Sequence, residues 1–217
     1  NLYQQGWFVP HDIPGMADLM GGRTKTLADL TNFFEKCPSD FLWNAYYNHA
    51  NEPVHHVPFL FNRLGAPWLT QYWTRAICNG AYKNKVEGLV GNEDVGQMSA
   101  WYIFNCLGFY PVCPSSGYYN FGSPALPAVD VRMSNGRHIR MTTRNWSKDA
   151  VYINKVYVNG KLYTKSYLTW DDVKNGIDIE FVMSKKPNKK WAVAKDDIAP
   201  SVSTEGKTVA YKHGMQL

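Results

Sequence analysis

The chain has 217 residues, of which 45% are hydrophobic, 15% aromatic and 19% charged, and its formal net charge is +5. A chain so rich in core-forming residues is not disordered, and it is long enough for one large domain or a domain with a small module. The mild positive charge comes from lysines crowded towards the end, in SKKPNKK and EGKTVAYK, with no arginine-rich stripe among the aromatics, so a solvated basic tail fits better than a nucleic-acid surface.

The first residues, NLYQQGWFVPHD, carry no signal peptide and read like the interior of a longer polypeptide, so the chain is expected to be a fragment. No apolar run approaches the length of a membrane span. TKTLADLTNFFEKC places Leu27, Leu30, Phe33, Phe34 and Cys37 on one helical stripe, with Pro38 ending it. PWLTQYWTRAICNGAY opens with Pro67 at a first-turn position and repeats Trp68/Tyr72/Ala76 and Leu69/Trp73/Ile77 four residues apart. GQMSAWYIFNCLG is apolar almost all round, which predicts a buried helix stopped at Gly108.

After FYPVCPSSG the period changes. AVDVRM, HIRMTTRN, VYINKVYVNG and IDIEFVM are short, rich in β-branched residues and partly alternating, with turn signals at Ser134–Arg137 and Val158–Lys161. The expected fold class is therefore α+β: a helical part over residues 1–110, an antiparallel β module over 111–191 and a polar, fraying tail over 192–217. Cys37, Cys78, Cys106 and Cys113 show no C-x-x-C or metal spacing and read as free thiols. Asn145-Trp146-Ser147 is a glycosylation sequon, meaningful only in a secreting eukaryotic host.

Three polar clusters interrupt the helical half where loops meet helices: Trp7, His11 and Asp12 in GWFVPHDIPG; His49, Asn51, Glu52, His55 and His56 in NHANEPVHHVPFLF; and Asn92, Glu93, Asp94 and Gln97 in GNEDVGQMSAW. Such loops line pockets at one end of helical barrels. Each acid also has a bland reading: Asp12 as the N-cap of IPGMADLM, Glu52 as charge at a helix start, Glu93 and Asp94 as caps. His55-His56 lacks H-E-x-x-H spacing, which argues against zinc. Carboxylates with Asn carbonyls suit a hard cation, Ca²⁺ rather than Zn²⁺. Carboxylates among aromatics also suit glycoside hydrolysis, in which one acid protonates the leaving oxygen and another activates water.

GWFVPHDIPG, NEPVHHVPFLFNRLGAPWLTQ, GNEDVGQMSAWYIFNCLGFYPVCP and YNFGSPALPAVDVRM resemble, in that order, the C-terminal portion of glycoside hydrolase family 92, the calcium-dependent exo-α-mannosidases. VYVNGKLYTKSYLTWDDVKNG and IEFVMSKKPNKKWA extend the likeness to about Trp191. The resemblance implies an N-terminal β-sandwich followed by an (α/α)6 barrel, of which this chain would hold the C-terminal part. It implies removal of terminal α-linked mannose from glycans, as in N-glycan degradation, with inversion and with Ca²⁺ on the sugar's O2 and O3. By match to the motifs it implies Asp94 as general base with Glu93 as neighbour or substitute. It implies Asn51, Glu52 and Asp94 as ion ligands, and sugar contacts from Asn1, Trp7, His11, Asp12, His55, Asn92 and Gln97.

One departure stands out. The family's first block carries its general-acid Glu two positions before the residue equivalent to Asn1, so that acid is not in this sequence. An inverting reaction needs its two carboxyl groups roughly 6.5–9.5 Å apart, with a base kept ionised by a nearby cation and an acid of raised pKa. On this reading the chain is the base and metal half of a site, inactive alone and partnered by the missing N-terminal part. A periplasmic, cell-surface or secreted location is expected. The competing reading is a non-catalytic carbohydrate-binding protein that keeps the fold, and the residue two positions before Asn1 separates the two.

Overall fold

The computed structural model describes residues 1–204, so EGKTVAYK and the rest of the expected tail from 205 onward lie outside the described residues. Three helices open the chain: α1 (Leu2–Gln5), α2 (Ile13–Leu19) and α3 (Arg23–Glu35). A long loop containing a 310 turn at Glu52–Val54 leads to α4 (Leu60–Arg63), then α5 (Pro67–Ala81) and α6 (Gln97–Leu107). The α3 stripe behaves as its spacing predicts, burying Leu30, Phe33 and Phe34. Phe34 stacks on Tyr47 at 4.6 Å and meets Trp73 and Phe61, so this aromatic cluster centres the helical half. Each such side chain removed from water stabilises by roughly 1.5–3 kcal/mol.

Two helices differ from the pattern. In α5 the residues driven inside are Thr70, Gln71, Thr74, Arg75, Ile77 and Cys78, while Tyr72 is exposed and Trp68, Leu69 and Trp73 are half-buried. The reason is polar complementarity. Thr70 Oγ1 donates to the Pro58 carbonyl (2.9 Å), Thr74 Oγ1 to that of Thr70 (2.8 Å), and Arg75 to that of Pro124. Buried polar groups so paired are tolerated in a core. In α6 only Met98, Trp101 and Asn105 are buried, and Tyr102 and Ile103 face outward, so the helix is covered on one side rather than all round. Gly108 ends α6 in the left-handed conformation that its position predicts.

The β half contains β1 (Phe109–Tyr110), β2 (Tyr118–Phe121), β3 (Ala128–Arg132), β4 (His138–Arg144), β5 (Tyr152–Val158), β6 (Lys161–Tyr163), β7 (Tyr167–Thr169), the short helix α7 (Trp170–Val173) and β8 (Ile177–Ser184). One sheet has the order β1-β2-β7 and a larger one β3-β4-β8-β5-β6. The expectation of an antiparallel module is corrected here. β8 inserts between β4 and β5 and runs parallel to β4, pairing Ile139 with Ile177, so the large sheet is mixed. Alternation along a strand reports which face is buried, not which strand lies beside it. β8 shows that alternation cleanly, with Ile177, Ile179, Phe181 and Met183 inward.

The two halves are bonded to each other. Ile153 N–H of β5 donates to Gln71 Oε1 of α5 (2.9 Å), and Asn62 Nδ2 donates to the Phe121 carbonyl (2.7 Å). Residues 192–204, expected to fray, fold back instead. Arg63 donates to the carbonyls of Ala199 (2.6 Å) and Pro200, and Ser166 N–H donates to that of Asp197 (2.8 Å). The stretch looked polar, yet its backbone carbonyls satisfy a buried guanidinium.

Candidate active site

The second and third polar clusters meet at the start of α6. The loop leading there holds three successive residues in left-handed backbone: Asp94 (φ 46°), Val95 (φ 59°) and Gly96 (φ 89°). For a non-glycine residue this costs about 1–2 kcal/mol, more where the side chain is β-branched as in Val95. Strain of this kind collects where function requires a particular backbone. Upstream, Gly91 (φ 81°) lies against Ala50, and a Cβ there would sit 2.8 Å from the Ala50 carbonyl oxygen. Only glycine lets this loop close onto the segment that carries Asn51 and Glu52.

The two adjacent acids divide their work. Glu93 Oε1 accepts from Ser99 N–H (3.1 Å), and its carbonyl accepts from Met98 N–H (3.3 Å), so Glu93 covers the open amides at the start of α6. The twisted backbone turns Asp94 the other way, within hydrogen-bonding reach of Glu52. Burial first, and then the facing Asp94 carboxylate, hold Glu52 above the usual carboxylate range, with its own backbone N–H acting in the opposite direction. Glu52 Oε1 is buried and has no hydrogen-bond partner.

A layer of neutral histidines supports this pair. His55 Nε2–H donates to the His49 carbonyl (3.0 Å), which leaves Nδ1 to accept from Gln97 Nε2 (3.1 Å). Gln97 also donates to Tyr110 OH (3.1 Å), and Trp101 Nε1 donates to the His55 carbonyl (2.9 Å). His49 stacks on His55 at 4.5 Å and lies between the hydroxyls of Tyr47 (2.8 Å) and Tyr82 (2.7 Å). Tyr82 donates to the Met98 carbonyl (3.0 Å), so His49 Nε2 is its donor and Nδ1 accepts from Tyr47. Burial, mainly, lowers the pKa of His55 to about 4 and holds His49 and His56 below the ordinary value. These rings are uncharged packing that fixes the Glu52 turn on α6.

Not every expected residue joins this group. Glu52, His55, Asp94 and Gln97 converge, with Asn51 and Asn92 beside them in the chain. Asn1 caps α1, accepting from Gln4 N–H (3.0 Å), and α1 packs on the Glu52–Val54 turn. Trp7 is buried, 5.7 Å from the Phe33 ring, with its carbonyl accepting from His56 Nε2 (2.9 Å). Asp12 caps α2. Its Oδ1 accepts from Gly15 N–H (3.2 Å) and from Ser203 Oγ (2.6 Å), while the His11 carbonyl accepts from Val202 N–H. Both face the returning C-terminal segment. Tyr47, Tyr82 and Tyr110 were not signalled by any motif. Trp101 and Asn105 could have been, since with Gln97 they form one face of α6 at four-residue spacing.

The donor set admits a hard cation. A buried carboxylate oxygen without a partner, opposite a second carboxylate and next in the chain to Asn51, is what such an ion satisfies. Among the described residues no group of three or more His, Cys, Asp and Glu side chains gathers, and the oxygen donors at hand here are those of Asn51, Glu52 and Asp94.

The carboxylate pair sits between the Glu52 turn and the strained loop that opens α6, an arrangement of acids open to acid–base chemistry. Residues 1–185 match the model of the glycosyl hydrolase family 92 catalytic domain, and the chain belongs to that family. It is similar to the family GH92 alpha-mannosidase BT3965 from Bacteroides thetaiotaomicron, with 48% identity and a TM-score of 0.87 over 92% of this chain and 27% of that one. The same protein in complex with mannoimidazole superposes with a TM-score of 0.85. The family GH92 inverting mannosidase BT2199 from Bacteroides thetaiotaomicron VPI-5482 is 32% identical, with a TM-score of 0.84 over 93% of this chain and 29% of that one. A curated relative, an uncharacterized secreted glycosidase of Arthroderma benhamiae, is 28% identical over 207 residues, 93% of this chain and 25% of its own length. The chain thus spans under a third of the length of each.

Proposed function

We propose that this chain carries the base-and-cation half of an exo-acting α-mannosidase site, and that the whole protein removes terminal α-linked mannose from glycans with inversion. The observation that carries this reading is the facing Glu52–Asp94 pair, set on a backbone whose strain serves no packing purpose: Val95 is fully exposed.

In this mechanism Asp94 is the general base. Its carboxylate accepts a proton from a water lying on the face of the sugar opposite the leaving group, and that water's oxygen attacks the anomeric carbon. A second carboxylic acid, across the sugar from Asp94, protonates the departing oxygen. Glu93 is given no step in this reading, because its Oε1 accepts from the Ser99 N–H of α6. Asn51, Glu52 and Asp94 would hold a calcium ion, which would supply positive charge to the sugar hydroxyls and offset the repulsion between the two carboxylates. In this reading Asn92 and the free Gln97 carbonyl oxygen, near Asp94 in the chain, orient sugar hydroxyls, while the Gln97 amide stays on His55 and Tyr110. The neighbours' mannosidase activities and the secreted relative favour a mannose-containing glycan as substrate and a periplasmic, cell-surface or secreted location.

The test is hydrolysis of 4-nitrophenyl α-mannoside and α-mannobioses by the complete natural polypeptide, in EDTA and then with Ca²⁺ restored. The expected result is loss and recovery of turnover. Binding of mannosides without any turnover would instead identify a carbohydrate-binding protein.

A further inference from the structure

Trp43 is an indole that no part of this mechanism uses. It is 66% exposed, the most exposed tryptophan among the described residues. Its loop is nevertheless built to hold one shape. Leu42 N–H donates to Asp40 Oδ1 (3.1 Å), and Asn44 Nδ2 donates to the carbonyls of Leu42 (2.6 Å) and Tyr47 (2.8 Å). Tyr46 N–H donates back to Asn44 Oδ1 (2.6 Å). Phe41, left-handed at φ 54°, is buried against Tyr47 and anchors the loop from below. An ordered loop with a large apolar face turned to water is an arrangement that a ligand, rather than the core, explains.

The loop's neighbours locate it. On one flank Asn1 Nδ2 donates to the Ala45 carbonyl (3.2 Å), and Gln4 Nε2 donates to those of Asn44 (2.8 Å) and Tyr46 (2.6 Å); these residues belong to α1 and its cap, which pack on the Glu52 turn. On the other flank Asp40 and Leu42 share a cleft of about 180 Å³ with Val90 and Gly91, three residues before Asp94. Underneath, the Phe41 carbonyl accepts from His49 N–H (2.9 Å), and His49 stacks on His55. The loop therefore lies between α1, which packs on the Glu52 turn, and the Gly91 segment, which leads to Asp94.

We propose that Trp43 is a stacking platform for the leaving-group sugar, the residue to which the terminal mannose is attached. The proposal rests on the mannosidase reading. An exo-acting pocket encloses the terminal sugar, so only the leaving-group side reaches the rim, and a flat indole there takes the apolar face of a pyranose. Trp43 then sets affinity for extended substrates without touching the reacting atoms.

The experiment compares two substrates in the complete polypeptide: α-mannosyl fluoride, which has no leaving-group sugar, and an α-mannobiose. Trp43→Ala is expected to raise KM for the mannobiose about fivefold, the order of one lost aromatic contact, with KM for the fluoride unchanged. Trp43→Phe should restore most of the difference. Equal changes on both substrates, or a fall in Tm with both KM values unchanged, would overturn the platform while leaving the mannosidase reading intact. Failure of the unmodified protein to hydrolyse either compound would overturn both.

Discussion

The carboxyl group of Glu52 faces that of Asp94, and one of its oxygens is buried without a partner. The facing Asp94 adds to burial in holding Glu52 above the usual carboxylate range, and a cation between the two would offset that repulsion. Chelation of calcium is therefore expected to lower turnover on 4-nitrophenyl α-mannoside at neutral pH. Added Ca²⁺ should restore it and Mg²⁺ should restore less, because a larger ion with a looser oxygen shell fits two carboxylates and an amide better. Activity indifferent to chelation would remove calcium from the mechanism.

Asp94 and Glu93 should separate in their effects. Asp94→Asn keeps the shape and removes the proton acceptor, so kcat is expected to fall by about 10²–10⁴ with little change in the affinity for mannose. Glu93→Gln should keep most activity and cost about 1 kcal/mol of stability through the weakened α6 cap, read as a shift in a denaturation midpoint. The opposite pattern, with Glu93 essential and Asp94 dispensable, would reverse the assignment.

Acid should destabilise the protein in a defined window. Burial lowers the pKa of His55 from the ordinary 6.5 to about 4, and His49 and His56 shift in the same direction. Below pH 6.5 the unfolded chain takes up protons that the folded chain refuses, so stability falls as pH drops. For His55 the loss is complete near its folded value and amounts to roughly 3 kcal/mol. Urea midpoints measured from pH 7 to pH 4 check this; a flat profile would mean that these rings charge inside the fold.

Tyr82→Phe tests the support beneath the site. It removes the hydroxyl that accepts from His49 Nε2 and donates to Met98, leaving a buried N–H and a carbonyl without partners. The expected cost is about 1–3 kcal/mol, with a smaller effect on kcat than Asp94→Asn.

Much of this was legible in the residues. The strands at 128–132, 138–144, 152–158 and 177–184 follow from β-branched alternation, and the hairpin at Asn159-Gly160 from its dipeptide. The position of β8 between β4 and β5 did not, since pairing order leaves no mark on a strand's own pattern. The division between Glu93 and Asp94 was also hidden: it depends on the backbone angles at Asp94 and Val95, and Val95 is a residue type that disfavours them. The buried face of α5 was misleading because Thr70, Gln71 and Arg75 read as surface until their partners on Pro58, Ile153 and Pro124 are known.

Arg63 has a practical consequence for anyone shortening this polypeptide. The family match ends at residue 185 and the compositional change falls near Trp191, and either is an attractive place to cut. The carbonyls that accept from the Arg63 guanidinium belong to Ala199 and Pro200, beyond both. A cut at either point would strip a cation in the middle of the fold of two acceptors at once, and the damage would surface at α4, far from the new terminus.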